Sequence, residues 1–376
     1  MNYELSAIIT PGLEREVLSE YDFKRNFYFD EKISIKTRVE NGAVVFSFSD
    51  PSFFHIIKIL RSPTKFTLKI AEFKCRDFPR LFTKLNNIKW QHYIYTTKFS
   101  ISSSCKKSRI IHSDRVIETT KRSIQKWLAG NPRKKLRLSD FTNEQKILIN
   151  IDNDHVTVKV DCSGEPNYKR NLRETKAIAP LRENYAYILL AKLTNNFKDT
   201  HDNHQLLDPM CGSGTFLSEA LEFYSLNDKR DFSYEHFYFL RNLPKILVKD
   251  FNLNQKMVFT GVEKNNFLKE FHRQNYNDIQ NINFIYEDFF DLKKFMFNTK
   301  ETIFICNLPY GKRIKTHNEI SNFYKKFLTK IAGMKGGVLL PSHYAKQLKL
   351  KSTLEFSNGG ISVSFCQINP SFNTHP

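Results

Sequence analysis

Two short stretches carry the residue types from which a reaction could be built. In "LLDPMCGSGTF", residues 206–216, two leucines run into Asp208, a turn bearing Gly212 and Gly214 follows, and a helical pattern begins at Thr215. That is the order strand, tight loop, helix, with glycines where backbone must come close to a ligand. In "ICNLPYG", residues 305–311, an apolar run ends in an amide side chain, a rigid proline and an aromatic ring.

The glycine turn lacks the third glycine of a dinucleotide fingerprint and the Lys-Ser/Thr of a phosphate loop, which disfavours NAD and ATP. Two acids extend the pattern. Glu263 in "GVEKN" stands where an acid can accept hydrogen bonds from two ribose hydroxyls. Asp288 in "YEDFF" stands where a base's exocyclic amine could be bound, with Phe289 available for stacking. Either acid alone reads as a solvated loop residue; in order at successive strand ends, behind the glycine turn, they read as a site for a nucleoside-bearing ligand.

Asn307 and its neighbours suit one kind of chemistry. An amine conjugated to a nucleobase is a poor nucleophile because its lone pair is delocalised into the ring. The Asn307 side-chain oxygen, with a backbone carbonyl beside Pro309, can accept its two N–H bonds, aim the nitrogen at an electrophilic methyl group and stabilise the developing positive charge. Tyr310 can stack on the base, a contact worth roughly 1–3 kcal/mol.

These residues need a scaffold that brings strand ends together. From residue 161 onward strand-like and helical segments alternate: "QLLDPM", "MVFTGVE", "NINFIYED", "TIFICNLP" and "GGVLLPS", with a helical stretch between each and the next. The succession predicts an α/β domain with a parallel, doubly wound sheet. "STLEFSNGGISVSFCQI" closes it with two strands about an Asn-Gly-Gly turn, a hairpin signal. Upstream, residues 1–66 read as a small α+β unit, with a helix at "PGLEREVLSEY" and another, "FFHIIKILRSP", ending at Pro63. Residues 67–160 form a second α+β unit with a long helix over "SDRVIETTKRSIQKWLAG".

At 376 residues and 40% hydrophobic content the chain can bury several cores. Lysine and arginine number 58 against 39 acids, a net charge of +19, which favours a polyanionic partner, nucleic acid before a membrane surface. The charge is concentrated in residues 101–140, where 11 basic residues face 3 acids. Lys106, Lys107 and Arg109 precede the long helix, and Arg133, Lys134, Lys135 and Arg137 follow it. Two basic clusters at the ends of one helix point to phosphate binding. No apolar run of about 18 residues and no export signal is evident, so the cytoplasm is the expected location. The 6 cysteines are scattered without a Cys-x-x-Cys pair, so neither a zinc site nor a disulfide framework is expected, and no metal is called for by the chemistry.

Residues 164–376 resemble the class I S-adenosylmethionine-dependent methyltransferases that act on exocyclic amines, through "DPMCGSGTF", "GVEKN", "EDFFD" and "NLPYGKR". The family's usual fourth motif is Asn-Pro-Pro-Tyr, or Asp in place of Asn; here Leu308 replaces the first proline and leaves the acceptors in place. The motif alone fits N6-adenine DNA methylation equally well. "SGEPNYKRNLRETKAIAPLRENYAYILL", "PGLEREVLSEY" and "SRIIHSDRVIETTKRSIQKWL" resemble the linker, ferredoxin-like and THUMP modules of the RNA guanine-N2 methyltransferases, so nearly the whole chain is covered.

The resemblance implies a ferredoxin-like domain over 1–66, a THUMP RNA-binding domain over 67–160, and a Rossmann-like seven-stranded methyltransferase domain with a C-terminal antiparallel hairpin over 161–376. It implies S-adenosylmethionine held by Asp208, Pro209, Cys211, Gly212, Ser213, Gly214, Glu263 and Asp288, and catalysis by Asn307, Pro309 and Tyr310. The chain looks most like the bacterial proteins acting on 23S ribosomal RNA, in their N-terminal half, with transfer RNA the other candidate. An RNA-binding module with a decayed catalytic domain is the non-enzymatic alternative, and the intact motif set argues against it.

Overall fold

The computed structural model describes residues 2–29, 33–130, 144–170, 181–196, 205–244, 246, 257–293, 297–311 and 317–371. The chain divides into two compact units. One comprises Met1–Ile9, Lys24–Lys169 and Leu226–Val248, the other Thr10–Phe23, Arg170–Ser225 and Lys249–Pro376.

The first unit is built on β1 (Tyr3–Ile8), the distal part of α1 (Glu14–Tyr28), β2 (Lys36–Glu40), β3 (Ala43–Phe48), α2 (Ile56–Ile59), β4 (Lys65–Lys74), α3 (Phe78–Asn86), β5 (Phe99–Lys106), α4 (Ser113–Gly130), β6 (Gln145–Asp152) and β7 (His155–Asp161). Its strands make one seven-stranded sheet, β2-β3-β1-β4-β7-β6-β5. The 66/67 boundary expected from sequence falls inside β4, which pairs with β1 on one side and β7 on the other. Ile147, Ile149 and Ile151 on β6 and Val156, Val158 and Val160 on β7 are buried at alternate positions, the period that lays one strand face on a core. Asn153 and Asp154 turn between them with φ of 51° and 63°, as a two-residue hairpin requires. The parallel partners β5 and β6 are connected through α4, which buries Val116, Thr120, Ser123 and Ile124 along one stripe.

Residues beyond 161 also serve this unit. Arg230, largely buried, donates to the carbonyls of Ser163, Glu165, Pro166 and Lys169 and so fixes the segment leaving β7. Phe232, Tyr234 and Phe237 are buried, and the Tyr234 ring stacks on Phe54 at 6.4 Å.

The second unit contains α5 (Glu183–Thr194), β8 (Gln205–Asp208), α6 (Thr215–Leu221), β9 (Val258–Val262), α7 (Leu268–Tyr276), β10 (Ile282–Ile285), β11 (Thr302–Asn307), α8 (His317–Lys330), β12 (Lys335–Pro341), α9 (Ser342–Gln347), β13 (Ser352–Asn358) and β14 (Ile361–Ile368). Its sheet order is β10-β9-β8-β11-β12-β14-β13. All pairs up to β12 are parallel, and β14 runs antiparallel to both of its neighbours, in agreement with the expected Rossmann-like sheet and terminal hairpin. From β8 the chain winds outward through β9 to β10, then returns to the other side of β8 as β11. That reversal makes the crevice beyond the carboxyl ends of β8 and β11 the natural ligand site.

The proximal part of α1 also belongs to this unit. The Thr10 and Tyr185 hydroxyls are 2.6 Å apart, and Lys192 pairs with Glu16 at 3.0 Å. One expected element is absent among the described residues, a helix between β10 and β11. There Asp288 bonds the Phe290 amide at 3.0 Å and the Lys330 ammonium takes the Phe290 and Leu292 carbonyls, so turns replace helical bonding.

Candidate active site

Four strand ends converge at this crevice. After β8, the Gly214 amide returns to the Cys211 carbonyl at 2.8 Å, closing a tight loop before α6. Gly212 and Gly214 have φ of +53° and +75°, a region in which a side chain is strained. Their surroundings differ. A Cβ at Gly212 would meet nothing within 4 Å, whereas one at Gly214 would lie 2.9 Å from the Tyr276 hydroxyl.

The loop is held from two directions. From the end of β9, Glu263 accepts the Gly212 amide at 3.0 Å and the Asn265 amide at 2.7 Å. From α7, His272 bonds the Gly212 carbonyl at 2.7 Å and the Tyr286 hydroxyl at 3.1 Å, while Tyr276 donates to the Ser213 and Gly214 carbonyls at 2.8 and 3.1 Å. The His272 ring also stacks on Phe284 at 3.9 Å. Sequence reasoning missed His272 and Tyr276; their i, i+4 spacing on one helix face was the available signal.

Asp208 lies beneath the loop, 2% exposed, and accepts the Met210 amide at 3.3 Å. Burial, reinforced by the charge of Glu263, pushes its carboxyl up to about 8. The Pro209 ring is buried beside it, and the Ser213 hydroxyl is buried 3.4 Å from that of Thr215. Cys211 is buried as well, and burial drives its thiol well above the ordinary range. Its side chain therefore faces the interior, and only its backbone can meet a ligand.

Asp288, after β10, keeps a side chain 39% exposed, with one oxygen on the Phe290 amide and the other 3.9 Å from the Lys264 ammonium. Phe289 does not offer the stacking surface expected of it. It is 4% exposed and packs 5.8 Å from Phe327, because the turn after Asp288 points it into the core beneath β11 and α8.

At the end of β11 the oxygens of the Asn-Leu-Pro-Tyr motif have distinct fates. Asn307 Oδ1 accepts the Tyr310 hydroxyl at 3.0 Å, and that hydroxyl accepts from Asn358 at 3.1 Å. Burial first, against the opposing effect of the Asn358 bond, raises the Tyr310 phenol to about 12, so it remains a donor at neutral pH. The Pro309 carbonyl is taken by the Tyr324 hydroxyl at 2.8 Å. The Leu308 amide bonds the Leu339 carbonyl at 3.0 Å, but the Leu308 carbonyl accepts no hydrogen bond from the described residues. Two acceptors thus keep unused lone pairs among the described residues: Asn307 Oδ1 and the carbonyl of Leu308, a residue 1% exposed. Asn358 had been legible only as part of a hairpin turn.

Arg170 and Glu219 form an ion pair at 2.8 Å with side chains 1% and 0% exposed, joining the point where the chain re-enters the second unit to α6. In the first unit, Lys106, Lys107 and Arg109 are exposed, and the basic face continues along α4 through exposed Arg115, Lys121, Arg122 and Lys126. The loop is anchored by Asp154, which accepts the Arg109 amide at 2.8 Å and pairs with Arg76 at 2.7 Å. Arg133, Lys134, Lys135 and Arg137 lie outside the described residues. No helix among the described residues is long and apolar enough to cross a membrane.

Sheet order, glycine loop, strand-end acids and the Asn-Leu-Pro-Tyr turn together define a Rossmann-like methyltransferase. Residues 170–355 match the family model described as "RMKL-like, methyltransferase domain". The chain is 25% identical over 334 residues to the Bacillus subtilis (strain 168) protein named "Putative RNA methyltransferase YpsC", covering 86% of this chain and 83% of that one. A Vibrio cholerae "Ribosomal RNA large subunit methyltransferase K/L" is 24% identical over 74% of this chain, which spans 40% of that protein's length. Among solved structures, that of SMU.472, described as "a putative methyltransferase complexed with SAH", superposes with a TM-score of 0.74 at 22% identity, covering 99% of both chains. That likeness is one of fold.

Proposed function

We propose that the chain transfers a methyl group from S-adenosylmethionine to the exocyclic N2 of a guanine in RNA, with 23S ribosomal RNA as the favoured polymer. One observation carries the reading: Asn307 Oδ1 and the Leu308 carbonyl, adjacent in sequence, keep acceptor capacity at the switch point of the sheet. An aromatic amine has two N–H bonds to satisfy, and this pair suits them.

The residues present fit the cofactor. Open space faces Gly212, and Glu263 retains lone pairs beyond its two amide bonds, enough for ribose hydroxyls. Asp208, the backbone of Pro209 through Gly214, Glu263 and Asp288 would hold it, and it supplies an electrophilic methyl on a sulfonium. Asn307 and Leu308 orient the target nitrogen and stabilise the charge it gains. Tyr310 fixes the Asn307 amide and presents its ring to the base, and Pro309 is held in place by Tyr324.

RNA is favoured over DNA by the basic first unit, in which 67–160 is read as the THUMP module and 1–66 as the ferredoxin-like one. The relatives named for RNA and ribosomal RNA methylation support the same reading. The test is to incubate the protein with labelled S-adenosylmethionine and separated ribosomal RNA, transfer RNA and DNA, then digest the labelled polymer to nucleosides. N2-methylguanosine from ribosomal RNA is expected. The same nucleoside from transfer RNA alone would move the substrate, and N6-methyladenine in DNA would refute the proposal. Asn307→Ala should lower single-turnover methylation by about 10²–10³-fold, with cofactor and RNA affinity within a few fold.

A further inference from the structure

The Leu308 carbonyl owes its freedom to a residue on the neighbouring strand. In the parallel pairing of β11 with β12, Asn307 lies opposite Leu339, and the Leu308 amide bonds the Leu339 carbonyl at 3.0 Å. The parallel pattern steps by two residues, so the next bond in the ladder would run from the amide of residue 341 to the Leu308 carbonyl. Residue 341 is proline and has no N–H. It is still the last residue of β12 and still sits opposite Val363 of β14, so β12 keeps its pairing with β14 to this point, two residues beyond its last pair with β11.

We propose that Pro341 is a positioning residue: by withholding the one backbone donor that the ladder would aim at Leu308, it reserves that carbonyl for the amine of the target base. The inference rests on the reading of the Asn-Leu-Pro-Tyr turn as the catalytic motif. The competing explanation is that proline merely starts α9, for which Pro341 is the N-cap residue. Its φ of −57° and ψ of 135° are open to alanine as well, so an alanine there keeps the backbone path and adds only the missing N–H.

Two variants of the full-length protein separate these explanations. Pro341→Ala introduces the donor; placing lactic acid at 341, an alanine analogue with oxygen in place of N–H, gives the same side chain without it. Amide hydrogen exchange at 341 in the alanine variant should be slow, reporting the new bond to Leu308. Its single-turnover methylation rate should fall between about 10-fold and about 10²-fold, less than for a lost partner because a carbonyl has two lone pairs. Cofactor and RNA affinities should stay within twofold, and the lactic acid variant should methylate at close to the wild-type rate. Wild-type methylation by Pro341→Ala, rapid exchange at 341, or equal loss in both variants would overturn the proposal. Any of those outcomes with Asn307→Ala still impaired leaves the catalytic motif standing, whereas full activity of Asn307→Ala would remove both.

Discussion

The Tyr310 hydroxyl donates to Asn307 Oδ1 at 3.0 Å while accepting from Asn358 at 3.1 Å, so the proposed catalytic amide is oriented by a chain that ends on the terminal hairpin. Tyr310→Phe keeps the ring and breaks the chain. Because a neutral hydrogen bond contributes about 0.5–1.5 kcal/mol, the single-turnover rate should drop by roughly 2- to 10-fold with base docking preserved. Asn358→Ala should give a smaller loss in the same direction. Tyr310→Ala, which removes the ring too, should weaken RNA docking as well as slow the reaction. Equal rates for the Phe and Ala variants would remove the ring from the site.

The two loop glycines should respond differently to alanine. At Gly212 the new methyl enters open space on the face where the cofactor is expected, while at Gly214 it meets the Tyr276 hydroxyl. Gly212→Ala should therefore lose cofactor affinity with only the drop in melting temperature that its positive φ imposes, and Gly214→Ala, which adds a clash to the same strain, should lower the melting temperature further. Calorimetric titration and thermal unfolding read the two effects, and undiminished cofactor binding by Gly212→Ala would take that face out of the site.

Asp208 predicts a pH dependence. Its carboxyl titrates near 8 in the fold against an ordinary value of 3.8, so between those limits the folded protein retains a proton that the unfolded chain has released. Stability contributed at this position is therefore intact below the ordinary value, declines as pH rises towards about 8, and is level above it. Asp208→Asn cannot ionise, and its melting temperature relative to wild type should rise from pH 5 to pH 8.5. A difference that does not change with pH would mean that Asp208 is already ionised.

The basic loop before α4 predicts a salt effect. Reversing Lys106, Lys107 and Arg109 to Glu should weaken RNA binding and flatten its dependence on salt by about 0.7–0.9 in slope per lost phosphate contact, leaving cofactor affinity unchanged. An unaltered slope would identify the cluster as a solvated flank.

Much of the second unit could be read from the sequence because its signals are local. Apolar runs ending in Asp208, Glu263, Asp288 and Asn307 mark successive strands, and the Asn-Gly-Gly turn marks the hairpin. Less legible were partners brought in by the fold. The i, i+4 spacing of His272 and Tyr276 puts them on one helix face but does not announce that they grip loop carbonyls more than 50 residues away, and Asn358 reads as turn chemistry until β13 carries it to Tyr310. Phe289 shows the opposite error: beside a site residue in sequence, it is buried because one turn reverses its direction.

The interleaving of the two units sets an order on biosynthesis. The unit that begins at the N-terminus also requires Leu226–Val248, with Arg230 clasping the exit from β7, and the unit that ends at the C-terminus also requires Thr10–Phe23. A nascent chain released up to residue 169 would therefore hold an incomplete first unit and a segment waiting for a partner not yet synthesised. Neither unit can close until the chain has been made at least to residue 248, and a single cut at 161 would yield two fragments that each lack a piece carried by the other.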